Sequence, residues 1–99
     1  MKFQVKLSGK TLYSFMRQAG YAPHKQDART NEFAFNRSIT GAQYPKFHVY
    51  ATETNGTANL DLHLDQKGAS YTGTTLHSGE YNGQLVETEA SRIQKMSGS

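Results

Sequence analysis

Hydrophobic and polar residues alternate at the start of the chain, and the spacing of the hydrophobic ones then changes. Phe3, Val5 and Leu7 are each separated by one polar residue, which is typical of a β-strand with one buried face. The next apolar residues recur at the i, i+3, i+4, i+7 spacing of a helix, and they are Leu12, Phe15, Met16 and Ala19. We therefore predict a strand and then a helix over about residues 10–19, which Gly20 ends.

The middle of the chain contains a polar segment and a second alternating segment. Residues 21–31 are polar and include Pro23, so we predict a loop there. In the sequence NEFAFNRSI the apolar residues that share one side are Phe33, Phe35 and Ile39, and this pattern predicts a second strand. Gly41 and Pro45 are expected to end it.

The last third of the chain predicts a long loop and a closing helix. Residues 68–82 are rich in Gly, Ser and Thr, which favours a loop. Over residues 83–96 the positions of Val86, Ala90 and Ile93 predict a helix. Residues 97–99 are expected to form a disordered tail, so that residues 1–96 form a single domain.

Asn55-Gly56 predicts a tight β-hairpin, because both residues tolerate the positive φ angles of a type I′ turn. With the turn at this position, Phe47, Val49 and Ala51 lie opposite Leu64, Leu62 and Leu60 on a buried face. The opposite face then carries a polar stripe in which His48 faces His63, with the flanking pairs Lys46–Asp65 and Tyr50–Asp61. The complete prediction is an α+β domain with β-α-β-β-β-α order, in which two helices pack on one face of an antiparallel sheet.

Four interpretations of this polar stripe remain open. It is an ordinary solvated sheet face, a site that binds Zn²⁺ through His48, His63 and His77, a catalytic site, or a surface that binds nucleic acid through Lys46, the histidines and Tyr50. In the catalytic interpretation His48 and His63 act as base and acid in a metal-dependent or histidine-based hydrolase, with Asp61 and His77 as further members. Zinc is the only cofactor that any of these interpretations requires.

The predicted loop over residues 68–82 bears on that choice, because it follows the stripe directly. It carries His77, Ser78, Glu80 and Tyr81, and if it folds back across the sheet, His77 or Glu80 becomes a third or fourth member of the site. The alternative is that this segment is only the turn before the last helix, with Asn82 as the N-cap.

The segment SGKT at residues 8–11 stands between a strand and a helix and so resembles a phosphate-binding loop. The first glycine of that motif would fall on Gln4, inside the strand, so we exclude this interpretation. Ser8 or Gly9 is expected to cap the helix instead.

Positive charge is concentrated in the first half of the chain. Residues 1–50 contain eight lysines and arginines against two acids, whereas residues 51–99 contain three against six. A basic surface is typical of proteins that bind nucleic acid. The residues expected to contact phosphates are Lys6, Lys10, Arg17, Lys25, Arg29, Arg37 and Lys46.

The absence of cysteine favours a reducing compartment. The chain also has no stretch of about 20 apolar residues and no signal-peptide pattern, so we expect a cytoplasmic protein that does not interact with membranes. An exposed edge strand is expected to allow oligomers.

The phrases LHLDQK and HSGEYNG resemble those of a family of small uncharacterised bacterial proteins, and the resemblance implies no known activity. After the first strand, the order of elements also resembles that of double-stranded-RNA-binding domains and of HicA-type mRNA-interfering toxins. This likeness is one of fold and does not settle the function. Our leading functional prediction is RNA binding; the hydrolase is the first alternative, and a protein-interaction module without chemistry is the second.

Overall fold

The computed structural model describes residues 1–27, 29–42, 44–65 and 75–97, with only the backbone for residues 75–82. Within this part of the chain the elements are β1 (Lys2–Lys6), α1 (Leu12–Gln18), β2 (Ala22–Asp27), β3 (Glu32–Ser38), β4 (Lys46–Thr54), β5 (Thr57–Asp65) and α2 (Thr75–Met96). The α+β class is confirmed. The predicted order of elements is present, with β2 as an additional strand.

The described strands form one antiparallel sheet in the order β1-β5-β4-β3-β2. The first strand therefore lies at one edge and pairs with β5, where Phe3 faces Leu60. The other edge is β2. All four strand pairings are antiparallel, so the predicted antiparallel sheet is confirmed.

The central hairpin has the predicted register. Asn55 and Gly56 adopt φ angles of 53° and 78°, as a type I′ turn requires. In the β4–β5 ladder, His48 lies opposite His63 and Val49 lies opposite Leu62. The predicted division of this hairpin into a buried face and a polar face is confirmed.

The prediction of a loop over residues 21–31 is wrong for most of its length. Residues 22–27 form β2, which pairs with β3 and contains a bulge between Pro23 and Lys25. Proline is tolerated here because β2 is an edge strand, whose outer N–H groups need no partner in the sheet. The residues of β2 are exposed apart from the half-buried Asp27, so the strand lacks the alternation that would have predicted it.

A single core lies between the sheet and the two helices. The strands contribute Phe35, Phe47, Val49, Ala51, Leu60 and Leu62, while the helices contribute Leu12, Phe15, Met16, Val86, Ala90 and Ile93. Because residues of both helices belong to this cluster, the helices pack on the same face of the sheet, as predicted. Ile39 is an exception to the predicted pattern, since it follows the end of β3 and is exposed.

The N-terminal cap of α1 differs from the prediction. Thr11 is the N-cap, and its hydroxyl oxygen accepts a hydrogen bond from the backbone N–H of Ser14 at 3.0 Å. Ser8 and Gly9 instead have positive φ angles and form the turn that leads into the helix. Gly20 has a φ of 95° directly after the helix, which agrees with its predicted role as the stop.

The last helix begins earlier than predicted. It starts at Thr75 rather than near residue 83, so the predicted loop over 68–82 is wrong for residues 75–82. Residues 66–74 and 98–99 lie outside the described part of the chain. The helix ends at Met96, and the backbone N–H of Ser97 bonds to the carbonyl of Gln94 at 3.1 Å. Among the described residues, neither helix combines the length and hydrophobicity needed to span a membrane.

Candidate functional site

The sheet face opposite the helices carries most of the polar side chains of the central strands, and we call it the open face. Side chains alternate between the two faces of a strand, so alternate residues of β4 and β5 point to this face. The observed register places Tyr50 opposite Asp61 and His48 opposite His63 there. Both helices belong to the core on the other face, and in the described part of the chain no helix packs on the open face.

Four aromatic rings contact one another on the open face, and we call them the ring cluster: His24, His48, Tyr50 and His63. The rings of His48 and Tyr50 are stacked, with centroids 4.7 Å apart and an angle of 26° between their planes. The rings of His24 and His48 form a T-shaped pair with centroids 5.8 Å apart, and those of Tyr50 and His63 form another at 5.9 Å. Tyr50 is 38% exposed, so the cluster presents an aromatic ring to solvent.

His48 is the least accessible imidazole of this cluster. Its side chain is 16% exposed, and its Nδ1 atom lies 3.4 Å from the Oδ2 atom of Asp65. Its Nε2 atom is buried and has no hydrogen-bond partner in the described part of the chain. Neither ring nitrogen of His48 is therefore open to a substrate in this arrangement.

His63 has a different carboxylate neighbour. Its Nε2 atom lies 3.3 Å from the Oδ1 atom of Asp61, and its side chain is 49% exposed. Asp61 also lies 3.4 Å from the amino group of Met1. Although His48 and His63 are opposed in the register, each imidazole is paired with its own aspartate.

These contacts bear on the predicted metal and hydrolase sites. In the residues that the structure describes, no three His, Cys, Asp or Glu side chains are arranged to hold a metal ion. The side chain of His77, which both predictions include, lies outside the described residues, as do those of Ser78, Glu80 and Tyr81. The predicted acid–base pair does lie on one face, but only His63 of the two imidazoles is exposed.

The residues predicted to contact phosphates do not all lie on one side of the molecule. Lys6, Lys25 and Lys46 belong to strand positions on the open face, and Arg29 lies in the exposed turn between β2 and β3. Lys10 and Arg17 instead lie before and within α1, on the helical side, where they contact Gln18 and Tyr13. Lys2, which was not predicted, joins the open face on β1.

The Arg37 side chain is half-buried and forms an ion pair with Glu89. It belongs to a group that we call the Glu89 network, which consists of Tyr21, Arg37, Glu89 and Arg92. The Glu89 carboxylate accepts hydrogen bonds from the Tyr21 hydroxyl at 2.7 Å and from Nε and Nη2 of Arg92 at 2.8 Å. Arg37 Nη1 lies 3.5 Å away, and Arg92 also donates to the carbonyl of Ala19 at the end of α1, at 2.7 Å.

Burial and charge shift the pKa values within this network. Burial by itself would raise the pKa of Glu89, but hydrogen bonds from Arg92 and Tyr21, together with the charges of Arg92 and Arg37, hold it below its ordinary value of 4.5. Burial and the Glu89 carboxylate raise the pKa of the Tyr21 hydroxyl above its ordinary value. The network therefore contains a carboxylate that stays charged inside the core.

A depression crosses the open face beside Tyr50, and we call it the trench. Its larger part has a volume of about 400 Å³, and its lining includes Lys2, Gln4, Glu32, Tyr50, Thr52 and Asn59. A smaller part of about 120 Å³ shares Glu32 and Tyr50 with the first and extends to Lys25 on the opposite edge strand. The trench therefore reaches from one edge of the sheet to the other, with a lysine at each end.

Several members of this surface were not predicted. His24 was missed because it lies on β2, which the sequence pattern did not reveal. Lys2 and Gln4 alternate with the buried residues of β1, and this alternation could have placed them on the polar face. The pairing of β1 with β5, which brings Gln4 opposite Asn59, has no signal in the local sequence.

Compared with known protein families, with curated proteins and with solved structures, the chain matches none of them.

Proposed function

We propose that the protein binds single-stranded RNA across the open face of its sheet. The observation that carries this proposal is the ring cluster, whose exposed Tyr50 lies on a face that no described helix covers. Aromatic side chains on a sheet surface bind unpaired bases by stacking, and such stacking contributes about 1–3 kcal/mol per base.

The charges around the trench support the same proposal. Lys2 on β1 and Lys25 on β2 stand at its two ends, while Lys6 and Lys46 lie elsewhere on the open face. Five strands about 4.8 Å apart span roughly 19 Å, so these lysines can contact several phosphates of one extended strand. The bases would then lie over the middle of the sheet, where the rings are.

The lining of the trench favours RNA among nucleic acids. Gln4, Thr52 and Asn59 line the trench with amide and hydroxyl groups, of which the Gln4 amide donates to Asn59 Oδ1 at 2.7 Å and leaves the Gln4 carbonyl and the Asn59 amino group for a ligand. Such groups can donate to or accept from the ribose 2′-hydroxyl, which DNA lacks. We therefore expect RNA to bind more tightly than DNA of the same sequence.

The same geometry favours binding over hydrolysis. Acid–base catalysis requires both groups to reach the reacting atoms. The Nδ1 atom of His48 faces Asp65 and its Nε2 atom is buried, whereas in our proposal the ring needs only to support Tyr50 by stacking.

The proposal is tested by measuring the fluorescence anisotropy of a labelled single-stranded RNA decamer at 50 and 200 mM salt. With about three phosphates neutralised, affinity should fall at least tenfold, because bound counterions are released. An affinity that does not change with salt would contradict phosphate contact.

A matched pair of variants locates the interface. Lys2→Ala with Lys25→Ala removes two positive charges from the ends of the trench and should weaken binding about tenfold. Lys10→Ala with Arg17→Ala removes the same charge from the helical side and should change the affinity about twofold or less. If the second pair weakens binding as much as the first, the RNA does not lie on the open face.

A further inference from the structure

We infer that the trench beside Tyr50 selects guanine among the bases, through a carboxylate that has no partner among the residues that the structure describes. This inference rests on the proposed RNA-binding function and identifies the base that the same site prefers. It depends on the free face of the Tyr50 ring, on the size of the trench and on Glu32.

Tyr50 offers one face of its ring to a base. His48 stacks on the other face at 4.7 Å, and both residues belong to the row of open-face positions along β4. His63, whose ring also contacts Tyr50, lies opposite His48 in the register, so the free face of Tyr50 is directed away from both imidazoles, toward Thr52, where Tyr50 and Thr52 line the trench. A base bound there would extend the His48–Tyr50 stack by one ring. The volume of about 400 Å³ lies within the range of roughly 300–1,000 Å³ in which proteins hold small ligands.

Glu32 borders both parts of the trench, next to the position of this base. Among the described residues that line the trench, it is the carboxylate without a hydrogen bond or ion pair to the protein. The other two are engaged, since Asp61 lies 3.3 Å from His63 and Asp27 accepts a hydrogen bond from the backbone N–H of Arg29 at 3.0 Å. Glu32 is half-buried at the first position of β3.

The chemistry of a carboxylate distinguishes guanine from the other bases. An ionised carboxylate is purely an acceptor and has two oxygens, so it pairs best with two adjacent donors. Guanine presents N1–H and the N2 amino group side by side. Adenine and cytosine present one amino group beside an acceptor nitrogen, and uracil presents one N–H between two carbonyl oxygens. These three bases would place an acceptor against the charge of Glu32, which penalises them.

The charge of Glu32 is also consistent with the proposed path of the strand. A carboxylate repels phosphates, whereas Lys2 in the larger part of the trench and Lys25 in the smaller part, both of which Glu32 also borders, attract them. The backbone of the RNA is therefore directed toward Lys2 and Lys25, and the edge of a base is directed toward the carboxylate.

The test compares labelled octamers of uridine that carry one central guanosine, adenosine, cytidine or inosine. The guanosine octamer should bind about tenfold more tightly than the adenosine and cytidine octamers, which is within the discrimination that a bidentate contact supplies. Inosine keeps N1–H and lacks the amino group, so its octamer should have an intermediate affinity. Glu32→Gln should bring all four affinities to within about twofold of one another.

Glu53→Gln is the control, because Glu53 is an exposed carboxylate of β4 and its removal changes the net charge equally. This variant should keep the preference for guanosine. Tyr50→Phe should also keep it, whereas Tyr50→Ala should weaken binding of every octamer. Circular dichroism checks that each variant is folded.

Free GMP and AMP, titrated into the ¹⁵N-labelled protein and followed by NMR, separate this inference from the proposed function. If the octamers bind with equal affinity and GMP shifts no more signals than AMP, the guanine site is overturned and RNA binding stands. If no octamer binds but GMP alone shifts the amide signals of Tyr50 and Glu32, the site takes a free guanine nucleotide and the RNA function falls. If neither binds, both proposals fall.

Discussion

The Glu89 network and the ring cluster are both built from polar side chains, but their polar atoms are bonded to different extents. Around Glu89 the hydrogen bonds from Tyr21 and Arg92 measure 2.7 to 2.8 Å. In the ring cluster the imidazole–aspartate distances are 3.3 to 3.4 Å, and the Nε2 atom of His48 has no partner among the described residues. Hydrogen bonds are short and numerous where the fold holds a charge in the core, and they are longer and fewer in the ring cluster, on the face where we propose that RNA binds.

The difference follows from the cost of burying charge. A carboxylate in the core is stable only if donors replace the water that it has lost, and Glu89, which is 4% exposed, has three such bonds. On the open face the aspartates remain partly hydrated, so weaker contacts suffice. Side chains that are not saturated by protein partners remain available to a ligand.

The strongest test of this comparison removes the charge of Glu89. Glu89→Gln leaves Arg92 and Arg37 without their counter-charge inside the protein, and we expect the free energy of unfolding to fall by about 3 kcal/mol. Urea denaturation followed by circular dichroism measures the change. RNA affinity, measured well below the melting temperature, should stay within about twofold of that of the unmodified protein.

Glu87→Gln is the matched control, because Glu87 lies on the same helix and is exposed. We expect this variant to change the free energy of unfolding by less than about 0.5 kcal/mol. If the two variants were equally stable, the Glu89 network would not hold α1, β3 and α2 together.

A second test uses pH. The pKa of Glu89 is lower in the folded protein than its ordinary value of 4.5, so below that pH the unfolded chain binds a proton that the folded protein does not. The contribution of the carboxylate to stability is complete above pH 4.5 and is lost as the pH falls through the folded pKa. The slope is at most about 1.4 kcal/mol per pH unit.

Other carboxylates also titrate in this range, so the informative quantity is the difference between the unmodified protein and Glu89→Gln. We expect this difference in the free energy of unfolding to shrink as the pH is lowered from 7 to 3. A difference that stayed constant over this range would show that Glu89 has the same pKa in both states.

The open face could largely be predicted from sequence because one turn determines it. Asn55-Gly56 sets the register of β4 and β5, and strict alternation then places His48 and His63 together on the polar side. Local patterns also predict α1, since its apolar residues follow a single stripe. Where one short motif determines the positions of many residues, the local sequence is sufficient to predict them.

The features that were missed depend on contacts between distant residues. The strand β2 is held by hydrogen bonds to β3, and its exposed residues show no alternation. Glu89 and Arg92, three residues apart on a helix, have the spacing of an ordinary surface pair. Only the fold shows that the hydroxyl of Tyr21, 68 residues from Glu89 in the sequence, donates a hydrogen bond to the Glu89 carboxylate, which is buried in the core.

The smallest change in the free energy of unfolding is expected for a substitution in the ring cluster. His48→Phe keeps a ring to stack on Tyr50 and removes a buried nitrogen that has no partner, while Asp65, which is 46% exposed, can be hydrated in its place. Removing the unbonded Nε2 atom relieves its desolvation cost, and this gain offsets the loss of the 3.4 Å contact between Nδ1 and Asp65. We therefore expect the free energy of unfolding, from urea denaturation, to change by less than about 1 kcal/mol.

The RNA affinity of His48→Phe should also be nearly unchanged, because the phenyl ring still supports Tyr50 from behind. His63→Phe serves as the control, since its ring is more exposed and pairs with a different aspartate. A loss of 2 kcal/mol or more in His48→Phe alone would mean that the imidazole is bonded as tightly as Glu89 is. The distinction between a saturated core network and an unsaturated binding face would then fail, because the ring cluster would be holding the fold together as well.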